Sequence, residues 1–185
     1  MSRRTPLLVL GLGNVLLEDD GVGGVAVADL VDRYEVPDGV RVFDGGTLGL
    51  SLLPYLEDAD RVILVDAVNA DAAPGTFVRL DGDDVPPAVA TRLSPHQVGV
   101  ADLLDGARWL ERYPPHLVLL GLVPRSIELH VGLSPRVRDA IDGLVEHIVQ
   151  EACDLGFIFR PRGRHEKPNA DGDRVDVARL AGLRA

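Results

Sequence analysis

Several acids and one histidine stand at the ends of apolar runs in this chain. Asp19 and Asp20 close the glycine-rich stretch Gly11-Leu-Gly13-Asn14-Val-Leu-Leu-Glu18. Asp44 precedes Gly45-Gly46-Thr47, and Asp66 directly follows Val62-Ile-Leu-Val65. His96 lies in Ser94-Pro95-His96-Gln97, where serine then proline signals a helix start. A carboxylate after four apolar residues is costly to desolvate unless paired, hydrogen-bonded or metal-bound. In the first turn of a helix the macrodipole disfavours a protonated imidazole, and a metal ligand requires the neutral ring. Two carboxylates and one such imidazole, delivered by three loops, make a divalent-metal site with open positions. Structural readings compete. Asp19 or Asp20 can cap a helix, Asp44 can serve a turn, and His96 can be an ordinary polar surface residue. Among the other histidines, His116 precedes a strand and His147 falls inside a helix, whereas His130 lies near a possible strand end.

Other chemistries find little support. Ser51 and Ser134 lack the flanking glycines of a nucleophile elbow. Cys153, the single cysteine, reads as a packed thiol and excludes an intramolecular disulfide. His165-Glu166 lacks the second histidine of a zincin motif. Lys167 is the only lysine, so the core holds no lysine for a phosphate loop or a Schiff base. Gly11-x-Gly13 is similar to part of a dinucleotide fingerprint, but the sixth position is Leu16. Carboxylates at the following helix start would also oppose a pyrophosphate there.

The elements that must position these residues alternate. Strands are expected at Leu7–Leu10, 40–43, Val62–Val65 and Leu117–Leu120, with a further alternating strand at Thr76–Leu80. Helical spacing runs through residues 20–34, 47–58 and from Ser94-Pro95 to about Trp109. Ser134-Pro135 opens a long helix with Val137, Ile141, Leu144, Val145, Ile148, Val149 and Ala152 on one face. Ile127–His130 reads as a short extra strand. Apolar strands alternating with helices predict an α/β fold: a single-domain three-layer sandwich with a mostly parallel twisted sheet and helices on both faces. Sites in such folds lie beyond the carboxyl ends of the strands, which is where Asp20, Asp44, Asp66 and His96 would meet.

Composition sets the outer limits. The chain has 185 residues, 46% of them apolar, and a net charge of −10. That sign argues against a general nucleic-acid binder. No apolar run approaches the ~20 residues of a membrane span, and Met1–Pro6 leads into no secretory signal. A cytoplasmic protein without a membrane partner is expected. Residues 1–159 read as one domain. Residues 160–185, rich in Arg, Asp, Gly and Pro, read as a polar, mobile tail whose removal should leave the fold and activity intact.

Taken in order, Gly11-x-Gly13-Asn14-x-Leu16-x-x-Asp19-Asp20-Gly21-x-Gly23, Asp44-Gly-Gly-Thr47, Asp66-Ala67, Ser94-Pro-His96-Gln97 and Gly121-x-x-Pro124 resemble the hydrogenase maturation proteases. The similarity is collinear over residues 7–157. It implies an endopeptidase that removes a short C-terminal peptide from the large-subunit precursor of a nickel–iron hydrogenase after nickel insertion. The family's metal-binding positions fall on Asp20, Asp66 and His96, and its acid in the Asp-Gly-Gly segment falls on Asp44. Some members carry Glu where this chain has Asp20, so the ligand arm here is one methylene shorter. The resemblance implies a monomeric, aspartyl protease-like hydrolase whose nickel arrives with the substrate, other divalent metals substituting in vitro. The rival readings are a nickel-recognising chaperone that cleaves nothing and a nucleotide-binding α/β protein.

Overall fold

The apolar runs form the inner strands of one sheet. The computed structural model describes residues 4–90 and 95–163. In chain order the elements are β1 (Leu7–Leu12), α1 (Val22–Arg33), β2 (Tyr34–Glu35), β3 (Val40–Gly46), α2 (Leu53–Glu57), β4 (Arg61–Ala67), β5 (Phe77–Asp81), α3 (Val85–Ala90), α4 (Pro95–Trp109), β6 (His116–Leu122), α5 (Pro135–Asp139), α6 (Ile141–Asp154) and β7 (Arg160–Pro161). The main sheet has the order β3-β1-β4-β6-β5. Its first four strands are parallel, and β5 closes one edge antiparallel to β6.

Alternation along the strands gives the sheet two buried faces. Leu7, Val9, Ile63, Val65, Val118 and Leu120 pack with residues of α1 and α6. Leu8, Leu10, Val62, Leu64, Leu117 and Leu119 pack with residues of α2, α3 and α4. A strand covered on both sides must be apolar at every position, which is why β1, β4 and β6 read as unbroken runs. The expected three-layer α/β architecture is the one observed.

Local departures have identifiable causes. The segment 47–58 is a 3₁₀ turn, Gly49–Leu52, followed by the short α2. The helix expected from Ser134 is two helices, interrupted at Ala140. Ile127–His130 forms no strand; it contributes one parallel bridge, from His130 to Leu17.

The segment assigned to the tail begins with a strand. Arg160 and Pro161 pair antiparallel with Glu35 and Tyr34. The Arg162 side chain donates Nε–H to the carbonyls of Val31 at 3.1 Å and Tyr34 at 3.0 Å. Carbonyls at a helix C-terminus lack intrahelical donors, so Arg162 closes the end of α1. Residues 164–185 lie outside the described residues. Truncation after Phe159 is therefore expected to lower stability by about 1–3 kcal/mol. For a domain of this size that is a fall in Tm of about 2–12 °C. The reference is a protein truncated after Gly163, which keeps β7 and Arg162. Equal melting of the two truncated proteins would show that β7 and Arg162 contribute nothing.

Candidate active site at the carboxyl edge of the sheet

The loop after β1 is shaped by its own backbone. Gly13 adopts φ +123°, in the region that favours glycine, and a Cβ there would overlap the Asp20 carbonyl oxygen. Gly23, in the first turn of α1, lies against the carbonyl oxygens of Leu12 and Val65 so closely that a Cβ would overlap both. The space that glycines open for a pyrophosphate in dinucleotide folds is here filled by the chain itself. Asn14 folds the loop further, its Oδ1 accepting from Leu16 N–H at 3.0 Å.

A 3₁₀ turn, Glu18–Gly21, then presents Asp19 and Asp20, both with 0% of their surface exposed. Their tasks differ. The Asp19 carboxylate accepts from Ser134 N–H at 2.7 Å, Ser134 Oγ–H at 2.8 Å, Arg125 N–H at 2.8 Å and Ser126 N–H at 3.4 Å. It is a structural clamp on the segment that follows β6. Ser134 accordingly does not cap α5 with its side chain; its hydroxyl is turned to Asp19. Asp20 accepts from Asn14 N–H at 3.0 Å through Oδ2, which holds its carboxylate over the end of β1.

Asp66 lies near the end of β4, also with 0% exposure. Its neighbours Val65 and Ala67 belong to the α1/α6 face. By alternation Asp66 belongs to the face that α4 covers. It accepts from Ala67 N–H at 2.7 Å, and its register partner on β6 is Gly121.

Asp44 pairs in register with Gly11, on the opposite side of β1 from β4. It lies on the α1 side of the sheet, where a Cβ on Gly24 would stand 2.8 Å from Asp44 Oδ2. The residue is exposed at its outer edge, while its carboxylate rests against α1. Burial there pushes the Asp44 carboxyl above its ordinary value, and the Gly46 amide, donating to Oδ1 at 2.8 Å, opposes the rise. Asp44 and Asp66 thus flank the end of β1, their backbones about 10 Å apart by the spacing of sheet strands, and they belong to opposite faces.

His96 is the second residue of α4; its side chain lies outside those described. Among the described residues, no three His, Cys, Asp or Glu side chains cluster as a metal site. The other histidines among the described residues have separate roles. His147 stacks on Phe77 at 3.7 Å between ring centroids, and His116 lies 4.0 Å from Glu151. His130 is exposed and meets the 14–18 loop through its backbone. Cys153 is exposed rather than packed, in the last turn of α6. That helix starts after the carboxyl end of β6 and carries the thiol away from the carboxyl edge.

Residue type and spacing left both Asp19 and Asp20 open as helix caps, and only the family resemblance assigned the metal position to Asp20. The signal that distinguishes them is Ser134, whose serine–proline pattern reads as a cap but serves a carboxylate 115 residues away.

These features describe an α/β protein in which Asp20, Asp44 and Asp66 gather near the carboxyl ends of parallel strands. Comparison with known proteins agrees on the fold. A family model described as hydrogenase maturation protease matches residues 25–151. The hydrogenase 2 maturation protease of Escherichia coli is 40% identical over 157 residues, covering 84% of this chain and 96% of the relative. The hydrogenase expression/formation protein HupD of Bradyrhizobium diazoefficiens is 39% identical over 176 residues, covering 94% and 90%. The solved structure of the hydrogenase maturating endopeptidase HybD from E. coli matches with a TM-score of 0.81 at 39% identity, over 85% of this chain and 98% of that one. The chain belongs to the hydrogenase maturation protease family, and it is an endopeptidase. Among the described residues no helix is long and apolar enough to cross a membrane.

Proposed function

We propose that this endopeptidase removes the C-terminal peptide of a nickel–iron hydrogenase large-subunit precursor, and that it recognises the nickel already held by that substrate. In this reading Asp20, Asp66 and His96 supply the donors that meet the substrate's metal. Asp44, across the end of β1, serves the neighbouring peptide bond, as the base that activates water. The observation that carries the reading is the complete burial of Asp20 and Asp66 at the carboxyl edge. Carboxylates so buried are costly to keep desolvated, and carboxylate–imidazole sets suit divalent metals. The relatives' names, hydrogenase maturation proteases, support the substrate class.

The test is incubation of the purified protein with precursor in nickel-loaded and nickel-free forms, without nucleotide. The expected result is a shortened large subunit from the loaded form alone. Cleavage of both forms would remove nickel recognition from the reading. Binding of the loaded form without shortening would favour a nickel-recognising chaperone.

The position of Asp44 predicts a pH dependence. A general base must be ionised, and burial raises the pH at which Asp44 ionises. The cleavage rate should therefore fall as pH drops through that raised value, at a higher pH than an ordinary aspartate would give. The sign for stability is opposite. A carboxyl with a raised folded-state value favours folding most when protonated, and stability falls as pH rises from its unfolded to its folded value. Asp44→Asn can still accept from the Gly46 amide. It is expected to abolish the acid limb together with most activity, while leaving stability at neutral pH unchanged or slightly higher. A fully active Asp44→Asn protein would assign the base elsewhere.

A further inference from the structure

An exposed apolar patch adjoins the buried acids, and the structure holds it rigidly. Leu129 is 84% exposed, Val131 74%, Leu16 51% and Val15 49%. Single exposed apolar residues are ordinary, but a contiguous group beside a site marks a contact surface. These four belong to two segments that are bonded together. Glu18 N–H donates to the His130 carbonyl at 2.8 Å, and His130 N–H donates to the Leu16 carbonyl at 3.0 Å. The bridge between Leu17 and His130 brings Leu16 and Leu129, one residue before each partner, alongside each other. Beneath them Asp19 fixes the second segment at both Arg125 and Ser134. Neither segment can turn its apolar side chains inward without breaking these bonds.

The patch is continuous with the catalytic edge. Asn14, next to Val15, donates its N–H to Asp20. The backbone of Val15 lies so close to Gly21 that a Cβ on that glycine would stand 2.8 Å from the Val15 Cα. The rim therefore borders the buried Asp20 carboxylate. Trp109, though 87% exposed, lies at the end of α4, seven residues before β6 starts at the opposite edge of the sheet, and is not part of it.

The geometry points to a substrate-docking ridge: Val15, Leu16, Leu129 and Val131 hold apolar residues of the large-subunit precursor next to the bond that is cut. This inference rests on the proposed function above and adds the surface that selects the substrate. The ridge contributes to binding and leaves the chemistry to the acids, so its loss should appear in KM. Removing one leucine contact from a buried interface weakens binding by about tenfold or more.

The experiment measures kcat and KM on nickel-loaded precursor for the wild type, Leu129→Asp, Leu129→Met and Trp109→Asp, with Tm and size-exclusion elution recorded for each. Leu129→Asp is expected to raise KM about tenfold or more, with kcat within about twofold and Tm unchanged. Leu129→Met should stay near wild type, because it keeps the apolar volume. Trp109→Asp should change nothing. An unchanged KM in Leu129→Asp overturns the ridge while leaving the proposed function standing. So does a wild-type dimer that Leu129→Asp dissociates with KM unaltered, since the patch would then be a contact between copies. If the wild type leaves the loaded precursor whole, the functional reading fails and the ridge fails with it.

Discussion

His96→Ala should leave the protein folded and reduce cleavage of nickel-loaded precursor by about 100-fold or more. Residues that merely orient metal ligands typically contribute 10–100-fold, so loss of a donor should do at least as much. Asp66→Asn should act similarly, for it keeps the shape and the acceptor oxygen for Ala67 N–H but removes the anionic donor. The two differ in their effect on the fold. Asp66 is fully buried among partners, so its substitution also moves the stability; His96 stands in the first turn of α4, where a helix tolerates alanine well. Single-turnover cleavage assayed beside circular dichroism melts would separate the effects. Normal processing by the His96→Ala protein would end the proposal that this histidine meets the metal.

The second large effect concerns stability. Asp19→Asn is expected to destabilise the protein by about 3 kcal/mol or more, because buried hydrogen bonds to a charged acceptor are worth about 1.5–3 kcal/mol each. Oδ1 accepts from Ser134 N–H, and Oδ2 accepts from Arg125 N–H and the Ser134 hydroxyl. Whichever way the new amide is placed, its NH₂ faces a backbone N–H that needs an acceptor. The expected fall in Tm is about 6–12 °C, readable by urea or thermal unfolding. A wild-type Tm would mean that the clamp is replaceable by water.

The parts of this molecule that could be read from the chain are those with one dominant physical cause. β1, β4 and β6 are buried on both faces, so their sequences are apolar throughout. Asp66 is legible for the same reason, as a carboxylate terminating such a run. The α4 start is announced by Ser94-Pro95 and α1 by its apolar spacing. What escaped depends on partners distant in sequence. Asp19 and Asp20 are adjacent acids in one 3₁₀ turn, and only the fold shows that one is bonded to Ser134 and the other lies over β1. The break at Ala140 carries no glycine or proline to mark it. β2 and β7 have two residues each, too short for any periodicity. Their pairing is set by where α1 ends and by the reach of Arg162.

The seating of Gly23 directly on the carbonyls of Leu12 and Val65 has a dynamic consequence. The turn that carries Asp20 leads without a linker into α1, and α1 cannot lift from the sheet without exposing Val22, Ala26 and Leu30, all fully buried. Local opening of this turn is thereby coupled to loss of the core, so the amides around Gly13 and Gly23 are expected among the slowest-exchanging of the protein.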